Sequence, residues 1–340
     1  MTAAKSSLLC FYGRGQVVTV NVGRMLTAHV SNIYRCGSSW SCPLCAPVVR
    51  QRRAGEIDSG LRVHLDDHGG GALFLTLTLR HRRRDTLSSR LDVVSQCMNL
   101  VLKGSAWERR KLALGYVGNI KAIEITWGET NGWHAHAHVL LLFDAPVDEH
   151  LRADLESWIF NRWSAIATGR GLGTVTRRHG VDLRQVTTAG ELAGYLTTID
   201  SDWSPGLELA RSDIKRWSPF DLLGLLMSTG DTLYRALWLE YEAATFGKRS
   251  VKWSPGLRAR LTGVELEVDD VELAASEGID LTLFRALIPT DQWNATVRSA
   301  TTGQLLTDIE RAAAAFLIIA DTLGHDVAPL DILEAAHGEA

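Results

Sequence analysis

Histidines at every second position of one apolar segment constrain this chain more than any other feature of its sequence. The segment Lys121–Phe143 reads KAIEITWGETNGWHAHAHVLLLF, and its central Gly-Glu-Thr-Asn-Gly has the composition of a turn between two strands. Side chains alternate between the two faces of a strand, so His134, His136 and His138 share one face. The segment therefore predicts a β-hairpin with a histidine-rich face.

A carboxylate is expected on the same face. A turn over residues 128–132 places Trp127 opposite Trp133, and in that register Glu124 faces His136 across the hairpin. The other face is apolar, so the sheet already has a side to bury, and packing gives no reason for imidazoles here. Imidazoles and a carboxylate in this arrangement are typical of a divalent-metal site.

Length, composition and charge limit the class of protein. A chain of 340 residues is long enough for about two domains. No apolar run reaches the length of a membrane span and no signal-peptide pattern opens the chain, so we expect a cytoplasmic protein. Residues 1–120 carry 17 Lys and Arg against 7 Asp and Glu, and residues 256–340 carry 5 against 15. The basic part favours contact with a polyanion, and the acidic part favours protein contact or solvation.

Three of the five cysteines lie close together in the segment CGSSWSCPLC. Cys36, Cys42 and Cys45 have C-x5-C-x2-C spacing, and a C-x2-C pair can ligate one zinc ion from a tight turn. Structural zinc needs four ligands, and either Cys10 or His29 can supply the fourth. Cys10 is preferred, because a four-thiolate site is closed and this residue has no other evident role. The clustering suits metal binding in a reducing compartment better than disulfides.

The other elements place the hairpin in an α+β domain. The sequence predicts short strands over 8–12, 16–21 and 27–34, a helix over 46–65, a strand over 73–80, a single helix over 86–114, a helix over 147–167, a strand over 181–186 and a helix over 189–200. With the hairpin included, residues 72–200 have the order β-α-β-β-α-β-α, which matches a ferredoxin-like or RRM-like antiparallel sheet with helices on one face. The predicted regions are a zinc-binding β region (1–65), the core (66–201), a helical extension (202–260) and an acidic, largely helical C-terminal region (261–340).

Two further groups of side chains can do chemistry. The helix over 189–200 places Glu191 and Tyr195 four residues apart, on one face. A tyrosine, with a pKa near 10, is a poor nucleophile at neutral pH unless a base or a metal ion is close. A basic cluster follows the strand over 73–80 and is suited to contact the phosphates of DNA. It consists of Arg80, Arg82, Arg83 and Arg84.

These features resemble the three motifs of HUH-superfamily endonucleases: a Thr-x-Thr strand, the WHAHAHVLL strand and a helix with Glu-x3-Tyr. The resemblance is strongest to rolling-circle plasmid replication initiators (Rep proteins) of Gram-positive bacteria, especially actinobacteria. Two further elements of that branch are present, CGSSWSCPLC and the LWLEYEAATFGKR…WSPGLR segment over 237–258. The likeness covers roughly residues 8–260.

The resemblance implies an HUH nuclease core whose metal ligands are His136, His138 and Glu124. His134 would not bind the ion but would adjust the site from the same face. The ion would be Mg²⁺ or Mn²⁺. Tyr195 would attack the scissile phosphodiester and form a 5′-phosphotyrosyl enzyme. The other residue of the Glu-x3-Tyr pair, Glu191, would activate the water that releases the product strand.

The implied function is site-specific nicking and joining of one DNA strand at a plasmid origin. The implied partners are single-stranded or hairpin DNA and a host helicase, with no membrane and no small-molecule cofactor. Thr198 stands where many relatives have a lysine, three residues after the tyrosine. Two alternatives stay open: an HUH transposase or relaxase-like protein, and a zinc-containing nucleic-acid-binding module without catalysis.

Overall fold

The computed structural model describes residues 9–23, 26, 28–187, 217–264, 268–275, 282–322 and 330–332. They belong to two compact units, one from the described parts of 1–38, 44–48 and 268–340, the other from those of 39–43 and 49–267. Both units contain strands and helices, so the protein is α+β, as predicted. None of the described helices combines the length and the apolarity needed to cross a membrane. The predicted helix over 189–200 lies outside the described residues.

The elements in these ranges are numbered in chain order. The strands are β1 (Val17–Gly23), β2 (Ala28–Ser31), β3 (Gly71–Thr78), β4 (Tyr116–Gly128), β5 (Gly132–Phe143), β6 (Val181–Val186), β7 (Val251–Trp253), β8 (Thr282–Pro289) and β9 (Leu330–Ile332). The helices are α1 (Cys45–Arg62, continued by a π-helical segment, Val63–Asp67), α2 (Leu87–Val101), α3 (Ser105–Ala113), α4 (Glu149–Gly169), α5 (Arg177–Gly180), α6 (Pro219–Thr229), α7 (Thr232–Thr245), α8 (Leu257–Thr262), α9 (Asp270–Ala275), α10 (Thr290–Arg298) and α11 (Thr302–Thr322).

The larger unit is built on a five-stranded sheet with the order β6-β3-β5-β4-β7, in which every neighbouring pair is antiparallel. The hairpin of β4 and β5 has the predicted register, with Trp127 opposite Trp133 and Glu124 opposite His136. Turn composition and alternating side chains were sufficient to fix this register. The predicted α+β core with an antiparallel sheet is confirmed.

Helices cover both faces of this sheet. On one face the leucines of β3 and the apolar residues of β5 pack with α2, α4 and α7, and Trp163 and Tyr241 are fully buried there. On the other face Ile57 of α1 and Leu261 of α8 cover an apolar patch that includes Phe74. The prediction of helices on one face alone is therefore wrong. The histidines occupy the rest of the second face.

Several elements differ from the prediction for local reasons. The single helix expected over 86–114 is two helices, because Gly104 lies between them with φ of +89°. Arg162 donates hydrogen bonds to the carbonyls of Leu100 and Lys103, which have no further helical partner at the end of α2. Strand β7 forms within the region over 202–260 that was predicted to be a helical extension, and residues 9–11, predicted to lie in a strand, form a turn.

The smaller unit contains a second sheet, with the order β2-β1-β8-β9. Strands β1 and β8 pair antiparallel, with Val18 opposite Ile288. Trp293 of α10 is fully buried beneath this sheet and its indole N–H donates to the carbonyl of Phe11 at 2.7 Å. The acidic C-terminal region thus contributes the strands β8 and β9 as well as helices. The pairing of β1 with β8 joins positions 270 residues apart, which local patterns do not reveal.

Candidate active site

The histidine face is formed by alternate residues of β5 and β4 and continues onto β3. His134 and His138 are buried, with 6% and 5% of their surface exposed, and His136 is half-buried. The face is therefore a sheltered polar surface. Buried imidazoles need hydrogen-bond partners, and each of these three has one.

Two threonines of β3 orient the imidazoles. The Thr76 hydroxyl lies 3.2 Å from Nδ1 of His138, and the Thr78 hydroxyl lies 3.0 Å from Nδ1 of His136. A hydrogen bond at Nδ1 fixes the ring and leaves Nε2 as the nitrogen for a ligand. The Thr-x-Thr strand belongs to the motifs noted in the sequence, but the contact of each threonine with a histidine was not predicted. The leucine–threonine alternation along β3 is the signal that places both threonines on this face.

The four predicted residues of the catalytic metal site form two pairs. His138 Nε2 lies 2.9 Å from a carboxylate oxygen of Glu124, and His136 Nε2 lies 2.8 Å from Nδ1 of His134. Glu124 therefore contacts His138, although His136 is its partner in the strand register. The rings of His136 and His138 are parallel, with centroids 6.1 Å apart. Glu124 and His138 converge on one point, and His136 points to His134.

The arginine cluster lies beside this face. His81, within the cluster, stacks on His134 with ring centroids 4.2 Å apart. Asp85 closes the loop by accepting from the backbone N–H of Arg82 at 2.6 Å, and the Arg90 guanidinium donates to the carbonyl of Arg80 at 2.9 Å. The predicted DNA-binding side chains are exposed, and in the described part of the chain they form no ion pair. They are Arg80, Arg82, Arg83 and Arg84.

The four predicted zinc-binding cysteines come together. The potential ligand atoms of Cys10, Cys36, Cys42 and Cys45 all lie within 4.8 Å of one another. The sulfur of Cys45 is 3.4 Å from that of Cys10 and 3.9 Å from that of Cys36. The sulfurs of a tetrahedral zinc–thiolate site are roughly 3.8 Å apart, given zinc–sulfur bonds of about 2.3 Å. The cluster can therefore hold a metal ion such as zinc, and exposed His29 is not part of it.

Two tyrosines that could compete for a nucleophilic role are unsuited to it. Tyr241 is fully buried and its hydroxyl donates to the carbonyl of Trp40 at 3.1 Å. Burial raises the pKa of Tyr116 to about 12, which disfavours its phenolate. The predicted nucleophile, Tyr195, and its partner Glu191 lie outside the described residues.

Comparison with known proteins identifies the family. Residues 28–148 match the family model of a replication protein. The chain is 30% identical to "Protein rep" of Streptomyces lividans, in an alignment that covers 81% of this chain and 75% of that relative. The chain belongs to the Rep family of replication proteins. It is also 31% identical to the "Neomycin resistance protein" of Streptomyces cyanogenus, in an alignment that covers 32% of this chain and 30% of that relative. No solved structure matches the chain.

The Rep match contains most of the candidate site. Its range includes the whole histidine face, the arginine cluster and three of the four clustered cysteines, and Cys10 precedes it. The residues of the predicted nucleophilic helix follow it. The likeness to the Streptomyces Rep relative extends over most of the chain.

Two motifs of this Rep chain meet in the fold. The indole N–H of Trp40, from CGSSWSC, donates to the carbonyl of Lys248 at 2.8 Å, and Tyr241 donates to the carbonyl of Trp40. The carboxylate of Glu240 accepts from the backbone N–H of Leu87 and from the indole of Trp133, both at 2.8 Å. The LWLEYE motif therefore connects the start of α2 to the hairpin, a positioning role that the sequence alone does not reveal.

Proposed function

We propose that this protein is a plasmid rolling-circle replication initiator that nicks and rejoins one DNA strand at the origin. Membership of the Rep family supports the replication role. The observation that carries the nicking proposal is the pair of imidazoles on β5. Each has Nδ1 occupied by a threonine hydroxyl, and each presents Nε2 on a sheltered polar face next to exposed arginines.

The topology supports an HUH nuclease core. Four strands of the sheet have the spatial order β6-β3-β5-β4, and helices follow β3 and β5 in the chain. This is the arrangement of a ferredoxin-like or RRM-like sheet. The segment with Glu191 and Tyr195 leaves β6, which pairs with β3, and the chain returns at Trp217, which pairs with Trp127. Both ends of that segment are thus anchored to the sheet that contains the histidine face.

The residues of the face fit a Mg²⁺ or Mn²⁺ ion. His136, His138 and Glu124 supply nitrogen and oxygen donors, and Thr76 and Thr78 already satisfy the other ring nitrogens. When bound, such an ion polarises the scissile phosphodiester and stabilises the charge that develops on it. His134 tunes the orientation of His136 through their hydrogen bond.

The reaction itself uses side chains of the predicted helix. The phenolate oxygen of Tyr195 forms a bond to phosphorus while the bond from phosphorus to the 3′ oxygen breaks. The products are a 5′-phosphotyrosyl protein and a 3′ oxygen that takes up a proton and primes synthesis. Glu191 removes a proton from the water that later hydrolyses the phosphotyrosyl bond and releases the strand. The arginine cluster holds the DNA backbone beside the face.

A structural zinc ion in the cysteine cluster completes the proposal. Four thiolates give zinc a closed tetrahedral shell with no open position for substrate. A closed site stabilises the fold and takes no part in the chemistry. A host helicase is the further partner that this function calls for.

The decisive test is trapping of a covalent adduct. The full chain is incubated with Mn²⁺ and a random-sequence single-stranded DNA library, and denaturing electrophoresis separates protein bound covalently to DNA. The wild type is expected to form an adduct, Tyr195→Phe to form none, and His136→Ala to form far less. Tyr234→Phe, which alters a half-buried tyrosine of α7, is the matched control and keeps the adduct.

Two outcomes would contradict the proposal. If Tyr195→Phe forms as much adduct as the wild type, Tyr195 is not the nucleophile. DNA binding by the wild type without any adduct favours the zinc-containing binding module that lacks catalysis. Where the wild type does form the adduct, sequencing of the trapped DNA gives the recognised site.

A further inference from the structure

A basic groove runs along the edge strand β7 of the five-stranded sheet. It consists of two adjoining cavities of about 620 and 520 Å³ that share the residues around β7. Its cations are Lys121, Lys248, Arg249, Lys252 and Arg258. In the described part of the chain, no further strand pairs with the outer edge of β7. The groove therefore lies along an open sheet edge.

Two lysines face each other across this edge. Lys121 of β4 lies directly opposite Lys252 of β7 in the antiparallel register. Like charges placed opposite each other in a sheet destabilise it. Lys121 donates to the neutral amide oxygen of Asn99 at 2.9 Å, and neither lysine forms an ion pair with any residue that the structure describes. Burial and the nearby Lys252 charge lower the pKa of Lys121.

Carboxylates neutralise only part of the groove. Lys248 pairs with Asp92 at 2.9 Å, but both side chains are solvent-exposed, so water screens their attraction. Arg258 pairs with Glu56 in a more sheltered position. No described carboxylate pairs with Lys121 or Lys252. An anionic ligand would offset the repulsion between these two lysines.

The lining of the groove is mostly cationic and polar, and its two indole rings pack into the protein. Trp40 is buried, and its indole N–H is bonded to the carbonyl of Lys248. Trp253 is half-buried, lines both cavities and packs against the apolar cluster on the second face of the sheet. Five cations beside these two packed rings favour contact with phosphates, which carries no sequence information.

We propose that the basic groove binds the sugar-phosphate backbone of DNA, without base specificity. The inference rests on the proposed function in taking DNA as the partner, but it concerns a separate surface. Lys121 and Glu124 are three positions apart in β4, so their side chains point to opposite faces of the sheet. The lysine pair therefore lies on the face opposite the histidines. DNA held at the histidine face would thus have a second, non-specific contact at the sheet edge.

The test measures binding of labelled random-sequence DNA to the full chain by fluorescence anisotropy, without added divalent ion. Affinities of the wild type, Lys252→Gln and Lys103→Gln are compared over a range of salt concentrations, with duplex and single-stranded DNA in separate arms. Lys103 is an exposed lysine at the end of α2, outside the groove, and is the matched control. One lost phosphate contact lowers the slope of log K against log salt by about 0.9 for duplex and about 0.7 for single strands.

Lys252→Gln is expected to bind duplex DNA, single-stranded DNA or both more weakly than the wild type, with a smaller slope of log K against log salt. Lys103→Gln is expected to bind like the wild type. The melting temperature of Lys252→Gln should equal or exceed that of the wild type, because a like-charge pair has been removed. Unchanged affinity and slope in Lys252→Gln overturn the proposal, as does an equal loss in Lys103→Gln. Failure of the nicking function shows separately, as a missing adduct in the wild type.

Discussion

Individual ligand atoms distinguish the two candidate metal sites. In the described ranges, the four cysteines are the group of three or more His, Cys, Asp or Glu residues whose ligand atoms converge within 4.8 Å. The histidine set is less converged, because Nε2 of His136 is bonded to His134. A preformed thiol cluster needs little rearrangement to bind its ion, whereas the histidine set must exchange hydrogen bonds for ligand bonds. We therefore expect zinc to be retained on purification and the catalytic ion to exchange.

Replacing one clustered cysteine should remove the zinc. Purified wild type is expected to contain about one zinc per chain, and Cys42→Ser to contain far less, since three thiolates leave the tetrahedral shell open. Cys97→Ser is the matched control, because Cys97 is buried in α2 outside the cluster. Elemental analysis of the three proteins measures the content. Equal zinc content in Cys42→Ser and the wild type would show that the cysteine cluster does not bind the zinc.

At the scale of elements, the end of the hairpin supports the arginine cluster. Gly132 begins β5 with φ of +72°, which L side chains rarely adopt. A Cβ atom at this position would lie 3.0 Å from Cα and 3.1 Å from the carbonyl oxygen of Arg83. The backbone of the cluster therefore packs directly on the hairpin. The stacking of His81 on His134 adds a second contact between the same two elements.

Gly132→Ala should disturb both the fold and DNA binding. The left-handed backbone costs an alanine about 1–2 kcal/mol, and the contact with Arg83 additionally displaces the arginine cluster. Gly171→Ala is the matched control, since Gly171 has φ of +68° but open space around its Cβ position. The melting temperature and the DNA affinity should fall more in Gly132→Ala than in Gly171→Ala. Equal effects in both variants would show that the packing contact is unimportant.

On the scale of the whole molecule, the smaller unit joins segments from both ends of the described chain. The indole of Trp293 is fully buried, lies 5.2 Å from the ring of Phe11 and donates to its carbonyl. The pairing of β1 with β8 runs from Val17 to Gly23. The stability of the N-terminal strands therefore depends on the C-terminal region, which the charge pattern alone suggested was a solvated or protein-binding tail.

Trp293→Ala should loosen the smaller unit. Removing a buried tryptophan costs about 3–5 kcal/mol and here also leaves the Phe11 carbonyl without its donor. Hydrogen exchange followed by mass spectrometry should show faster exchange in peptides from β1 and β8. Leu287→Ala, which truncates a 39%-exposed side chain of β8, is the control and should change exchange little. Unaltered exchange in Trp293→Ala would contradict this role.

The sequence predicted the structural features that depend on residues close together in the chain. It did not predict the contacts between distant segments. The hairpin register, the face of His134, His136 and His138 and the four-cysteine set follow from spacing over a few residues or from ligand chemistry. The contact of Glu124 with His138 instead of His136 depends on side-chain rotamers. The β1–β8 pairing depends on chain segments with no local relation, and the roles of Thr76 and Thr78 depend on which strand lies beside β5.

The β1–β8 pairing also determines when this sheet can form during biosynthesis. Val18 pairs with Ile288, which the ribosome adds 270 residues later. At roughly 5–20 residues per second, the ribosome needs about 15–55 s to supply the partner strand. The larger unit can form its sheet during this interval, while β1 has β2 as its only described neighbour within the chain made so far. A nascent chain interrupted before β8 therefore has an open strand edge, which makes it prone to aggregation.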